Sequence, residues 1–182
     1  MDEPDGGAAA IPDGLTPVSS LIDRSFDAFY RAQYRPLLGL AWSLTGRRDL
    51  AEDLVQDAMV TVHRRWDRIR SYDQPGSFAR RVLLNDATSA ARRRASEGRA
   101  LDRLGAPSEA ADDPPLPDPE FWAALRALPE RQAQAVSLHY LEDRSVVEIA
   151  DILGIAANTV KVHLHRGRLA LATALRPEEG DR

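Results

Sequence analysis

"EIADILGIAANTVKVHLHRGR", residues 148–168, contains two amphipathic runs separated by a single glycine. Ser145 is placed to cap the first run, and Glu148, three residues on, completes a capping box. Ile149 and Ile152 or Leu153 then face inward, and Gly154 supplies the tight turn. The second helix is expected to begin near Ala157 or Asn158, although Ala156 stands where a Ser or Thr cap is usual. With Val160 and Leu164 on its core face, Gly167 and Leu171 fall on the same stripe. Asn158, Lys161, Val162, His165 and Arg166 then point away, flanked by Thr159 and His163. A helix, tight turn and helix with one basic outward face is the geometry that enters a DNA major groove. A plain helical hairpin with a solvated basic face explains the charge but not its agreement with cap and turn. His163 and His165 do not make a metal pair, because residues two apart on a helix do not share a face.

Working outward, the charge of the chain has to be divided before it means anything. The 182 residues carry a formal net charge of −4, the opposite sign to that expected of a nucleic-acid binder. Residues 1–23 hold five acids and no base, and residues 100–120 hold six acids and one arginine. Residues 24–99 instead hold fifteen arginines against nine acids, and 156–170 holds Lys161, Arg166 and Arg168 with no acid. The acid therefore sits in a tail and a connecting segment, between and around two basic zones.

Hydrophobic periodicity places the helices. From Phe26 to about Arg94 apolar residues recur at three and four, as in Leu50, Leu54, Ala58, Val62 and Trp66, without strand-like alternation. "SYDQPGS", 71–77, interrupts the run as a loop, and a second helix is expected from Phe78 into "RRR" at 92–94. "GAPSEAADDPPLPDP", 105–119, has five prolines and almost nothing to bury, which is the composition of a tether. Pattern resumes at Phe121, and Pro129 separates "FWAALRAL" from "ERQAQAVSLHYL". The expected fold is all-α. Residues 1–23 form a disordered acidic tail, 24–95 a first helical domain, 96–119 a flexible acidic linker, 120–176 a helix-turn-helix domain, and 177–182 a tail.

Composition excludes several classes. There is no cysteine, hence no disulfide and no thiolate metal site. The N-terminus lacks the basic and apolar regions of a signal peptide, and no run reaches the ~18 apolar residues of a membrane span, so a cytoplasmic protein without membrane insertion is expected. No catalytic constellation, metal site or cofactor motif is visible, and no enzyme is expected.

In the first domain, "RRDLAEDLVQDAMVTVHRRW", 47–66, reads as a helix N-capped by Asp49 with Glu52 in the capping-box position. Asp49, Asp53 and Gln56 share a face, with Glu52 and Asp57 beside them. A well-capped helix with a solvated acidic edge accounts for these residues equally well on physical grounds. A carboxylate metal site, as in a nucleic-acid enzyme, lacks a second acidic cluster.

Taken in order, "AEDLVQD" at 51–57, "RRVLLN" at 80–85 with the following "RRR", and "LPERQAQAVSLHYLEDRSVVEIADILGIAANTVKVHLHRGR" at 128–168 resemble an extracytoplasmic-function (ECF) sigma factor of the sigma-70 family, with regions 2 and 4 only. The resemblance spans roughly residues 24–176. It implies a promoter-specificity subunit that binds core RNA polymerase, through the β′ clamp helices and the β flap, together with promoter DNA. A regulating anti-sigma factor is a further implied partner.

The resemblance assigns core binding to Asp49, Glu52, Asp53, Gln56 and Asp57, an acidic face suited to a basic helical surface. It assigns the minus-ten element to Arg64, Arg65, Trp66, Gln74, Ser77, Asn85, Arg92 and Arg93, which can supply the basic groove and stacking that hold a single strand. Trp66 also lies on the Leu50–Val62 stripe, where core packing competes with a DNA role. Many family members have an acid where this chain has Ser89. The minus-thirty-five element falls to Asn158, Thr159, Lys161, Val162, His163, His165 and Arg166. Because Ser-Arg is common in the family where Val162 and His163 stand here, base preference does not transfer.

Residues 96–118 span at most roughly 75 Å, enough for elements ~70 Å apart. A LuxR-type regulator would also accommodate "NTVKVHL", but it calls for an N-terminal domain of alternating strands and helices, and no such pattern precedes residue 121.

Overall fold

The computed structural model describes residues 25–102 and 118–176. The acidic tail, most of the linker and the C-terminal tail lie outside the described residues. Eight helices are described: α1 (Phe26–Thr45), α2 (Arg48–His63), α3 (Trp66–Ile69), α4 (Pro75–Asp102), α5 (Pro119–Ala127), α6 (Glu130–Tyr140), α7 (Val146–Leu153) and α8 (Ala157–Ala174). No strand occurs among the described residues, which removes the receiver-like N-terminal domain that a LuxR-type reading requires.

The first module is a bundle of α1, α2 and α4, with α3 closing one end. Ser25 caps α1 by accepting from the Ala28 N–H at 3.2 Å. Helix α1 stops at Gly46, whose φ of 66° is left-handed and suits a residue without Cβ. Leu37, Leu40, Leu54, Val55, Val62, Ile69, Leu83 and Leu84 fill the bundle. Trp66 is half-buried at its end, with ring centroids 5.6 Å from Phe26 and 4.9 Å from Phe29.

Four element boundaries differ from the sequence expectation. Asp49 is not the N-cap of α2. The helix starts at Arg48, two positions earlier than that cap would place it, behind Arg47, which makes no side-chain cap; only two residues separate α2 from the end of α1. Asp49 lies in the first turn and accepts from Arg47 Nε at 3.1 Å, while Glu52 pairs with Arg48 Nε at 2.9 Å instead of closing a capping box. Helix α4 begins at Pro75 rather than Phe78 and runs on to Asp102, through residues assigned to the linker. Proline is well suited to a first helical turn because its missing N–H has no intrahelical partner there. At the other end of the linker, Asp118 already belongs to α5: its side chain caps the helix by accepting from the Phe121 N–H at 3.3 Å.

The second module packs α5, α6, α7 and α8 around Leu125, Val136, Leu138, Ile149, Ile152, Val160 and Leu164. Ser145 and Glu148 form the expected capping box, Gly154 ends α7 at φ 65°, and Ala156 precedes α8 with no side-chain cap. Val160, Leu164, Gly167 and Leu171 are the buried stripe of α8. Gly167 is required by the close approach of α6: a Cβ there would sit 2.7 Å from Val136 Cγ2.

The two modules are not merely tethered. Helix α1 packs on α5 and α6, and α4 packs on α7. The buried Ser43 and Ser137 hydroxyls meet at 3.2 Å, and the Arg126 guanidinium closes on Gly46, leaving no room for a Cβ. Between the modules a cavity of about 720 Å³ is walled by Pro36, Leu40, Trp42, Trp122 and Leu141.

Candidate nucleic-acid interface

Helix α8 presents the outward face that its sequence spacing requires. Asn158, Thr159, Lys161, Val162, His165 and Arg166 are exposed, and Val160 and Leu164 are buried beneath them. The capped α7 and the left-handed turn at Gly154 fix the angle at which α8 is offered. Among the described residues, no salt bridge engages Lys161, Arg166 or Arg168, so the positive charge of this face is free for phosphates. His163 is different. It is half-buried, and its Nδ1 is enclosed without a hydrogen-bond partner, so it sits at the edge of the face rather than on it.

On α2, burial of Leu54, Val55, Ala58 and Met59 leaves Asp49, Asp53, Gln56 and Asp57 exposed, with Glu52 half-buried. The stripe continues to Val60, 47 % exposed, which sequence reasoning left out. Its spacing from Gln56 and Asp57, four and three residues, is the signal that could have found it. Hydrogen bonds from the Arg47 guanidinium and the Leu50 N–H hold the Asp49 carboxyl down at about 2. Asp57 shares a cleft with Asp86, Ser89 and Arg93. Burial, and then the Asp57 charge, push the Asp86 carboxyl above its ordinary value.

The minus-ten candidates fall into three places. Arg64 and Arg65 are exposed where α2 ends, beside the packed Trp66. Gln74 and Ser77 meet in a cleft of about 370 Å³ with Tyr72, Asp73, Phe78, Arg81 and Asp151. Ser77 is buried there, a consequence of the early start of α4, which folds it into the first helical turn. Asn85 and Arg92 share one face of α4 with Arg81 and Thr88, by their spacing of four, three and four. Arg93 is exposed on the neighbouring face.

Sequence reasoning missed Arg81, the best-placed cation of the cleft. Its guanidinium reaches the other module, donating to the carbonyls of Asp151 and Ile152 and to the Asp151 carboxylate at 3.1 Å. Beside it, Arg80 is buried and forms a two-pronged ion pair with Glu142 of the α6–α7 turn, Nη2 to Oε1 at 3.0 Å and Nε to Oε2. Its Nη1 donates to Gln33 Oε1 at 2.8 Å and to the Gly76 carbonyl at 3.1 Å.

The molecule is thus a two-module helical protein with one helix that exposes a basic face free of salt bridges and, at the seam of the modules, a cleft that holds Gln74, Ser77 and Arg81, features of the class of bipartite DNA-binding factors. Comparison with known proteins gives the particular family. The family model for Sigma-70 region 2 matches residues 29–97, and that for Sigma-70, region 4 matches residues 119–171. The RNA polymerase sigma-E factor of Streptomyces avermitilis is 31% identical over 159 residues, covering 86% of this chain and 88% of that relative. The ECF RNA polymerase sigma factor SigM of Mycobacterium tuberculosis is 30% identical, covering 83% and 77%. Among solved structures, the sigma factor RpoE of Bartonella quintana, in complex with the anti-sigma factor NepR, superposes with a TM-score of 0.70 at 27% identity, over 84% of this chain and 98% of that one. The chain belongs to the ECF sigma factors of the sigma-70 family and acts in promoter recognition and transcription initiation.

Proposed function

We propose that this sigma factor docks on core RNA polymerase through the exposed stripe of α2, captures the opened minus-ten strand along α4 and its leading cleft, and reads the minus-thirty-five duplex with α8. It works in the cytoplasm, where its polymerase is, and directs initiation without covalent chemistry of its own. The observation that carries this reading is the separation of charge between faces: carboxylates exposed on α2, arginines along α4, and an unpaired basic face on α8. Asp53, Gln56 and Asp57, with Asp49 and Glu52 beside them, form the core-binding set. Arg64, Arg65, Gln74, Ser77, Asn85, Arg92 and Arg93 serve the single strand, to which the geometry adds Arg81. Trp66 supports this site through the bundle end rather than by stacking on a base.

The complex of the similar RpoE with NepR supports an anti-sigma factor as a further partner. Among the described residues no helix is long and apolar enough to cross a membrane.

The test is transcription with purified core polymerase on genomic promoter fragments. The wild-type chain is expected to co-purify with core and to start specific transcripts. Asp53→Ala with Gln56→Ala should lose core binding by roughly 10- to 100-fold, on the order of 1–3 kcal/mol for contact residues of this kind, while duplex binding by α8 persists. A wild-type chain that neither co-purifies with core nor directs specific starts overturns the reading.

A further inference from the structure

We propose that, in the free chain, the second module masks the minus-ten cleft: the end of α7, with Asp151, occupies on Arg81 the place that a strand phosphate would take, and the buried Arg80–Glu142 pair fixes it there. The proposal rests on the assignment of that cleft to single-stranded DNA.

The pair of charges sets the register. Arg80 and Glu142 lie 62 residues apart, on different modules, with side chains 2 % and 5 % exposed. Arg80 also ties α1 to α4 through Gln33 and the Gly76 carbonyl. While the modules are packed, a buried charge displaced from its partner is strongly unfavourable, so the packed state favours the register that joins Arg80 to Glu142. Gly76 belongs to the same device, because a Cβ at that position would meet Arg80 Nη1 at 2.9 Å and Gln33 Oε1 at 3.0 Å.

In that placement the next residue of α4 is turned into the mask. Arg81 receives a carboxylate and two carbonyls from the last turn of α7. Helix C-terminal carbonyls carry partial negative charge, so with Asp151 they present to the guanidinium what a phosphate presents. The same contact pattern recurs further along α4: Glu130 accepts from Thr88 Oγ1 at 2.6 Å and lies 3.8 Å from Arg92 Nη2. Two acids of the second module therefore stand on the face of α4 that also carries Asn85. Arg81 and Asp151 are 44 % and 63 % exposed, and a pair so well solvated is weak when it stands alone. The mask depends on the register that Arg80 and Glu142 impose. Helix α8 is left uncovered, so the free chain is closed to the single strand and open to the duplex.

The full chain tests this, and its lack of cysteine makes paired labels clean. Val60→Cys and Leu169→Cys, both exposed positions, carry spin labels for pulsed distance measurement. A fluorescent single-stranded DNA 12-mer of random sequence probes the cleft by anisotropy. The unmutated background is expected to give one narrow distance and weak strand binding. Glu142→Ala should broaden and lengthen the distance and strengthen strand binding. Asp151→Asn should leave the distance narrow and tighten binding by about fivefold, the upper range for an exposed charge pair. Adding Arg81→Ala should remove that gain. Asp151→Asn is an exposed substitution, so it keeps the test open even if Glu142→Ala unfolds the chain. An unchanged strand affinity in Asp151→Asn, or a distance in folded Glu142→Ala as narrow as before, overturns the mask. Core binding enters neither probe, so the assignment of α2 to polymerase is judged separately.

Discussion

The two faces proposed to bind DNA, the duplex-reading face and the strand-binding face, are built in opposite ways. The duplex-reading face is one rigid helix, set by a capped neighbour and a left-handed turn, and its outward side chains stand in solvent. The strand-binding face is assembled from the end of one helix, the turn before another and the length of α4, and the other module rests on part of it. The difference follows from the targets. A duplex is a fixed shape, so a preformed helix can meet it directly. A single strand is held by an exposed groove of cations and pockets, which also attracts any acid that the protein itself can bring near. The first face needs rigidity. The second needs control over what reaches it.

Five single substitutions and one double replacement sharpen or break this contrast. The largest effect is expected at the interface that joins the faces. Arg80→Ala leaves Glu142 only the Arg144 guanidinium, 3.7 Å away, and should destabilise the closed arrangement of the modules by up to about 3 kcal/mol, read in thermal or urea unfolding. Replacing both partners by Leu should recover most of that loss, because two apolar side chains leave no stranded charge. A second substitution acts on the duplex face alone. Gly167→Ala forces α8 away from Val136 at a cost of about 1–3 kcal/mol and should weaken duplex binding, with core binding by α2 unchanged. Equal loss of both would show that the faces are not independent.

Glu148 offers a smaller effect with a pH signature. The Ser145 N–H, the Ser145 side chain and Arg144 hold its carboxyl down at about 2, from 4.5. The folded value lies below the unfolded one, so the stabilisation is fully present above pH 4.5 and is lost as pH falls through about 2. Glu148→Gln should therefore unfold more readily than wild type at pH 7, and the gap should narrow as pH falls through that window. Ser145→Ala should cost about 1 kcal/mol through the same capping box. The smallest effect is expected at Asp49. Its pairing with Arg47 is solvated, so Asp49→Ala should leave the melting curve unchanged, and any loss it causes should appear in core binding alone.

What could be read from sequence was whatever local chemistry decides. The capping box at Ser145 and Glu148, the turn at Gly154 and the stripe from Val160 to Leu171 depend on neighbours within a few residues, and each stands where its spacing put it. The start of α2 did not follow the same rule. Asp49 and Glu52 have the right types and spacing for a cap, but the end of α1 at Gly46 leaves no room for one, and two arginines take the carboxylates instead. Pro75 and Gly76 read as a loop because the dipeptide usually turns the chain. Here the proline opens a helix, and the glycine is present because Arg80 and Gln33 pack against it. That reason is tertiary, because Gln33 and Arg80 meet there from 47 positions apart. The module interface was illegible for the same reason: nothing near Arg80 announces Glu142 on the far side of a tether. Arg81 was missed with it, although its place four residues before Asn85 on α4 was available to be read.

Helix α4 ends at Asp102 and α5 begins at Pro119, behind its cap at Asp118, so residues 103–117 are what connects the modules. A tether of this length turns the meeting of the modules into an intramolecular event, at an effective concentration on the order of millimolar. An interface much too weak to hold two separate proteins together can therefore keep one chain closed. The same arithmetic sets what polymerase has to supply. Core enzyme need not outbid a tight complex; its contacts with the two modules have only to exceed a modest local attraction multiplied by that concentration. Lengthening the tether would relax closure gradually, as the logarithm of its length, whereas cutting it would release the modules at once.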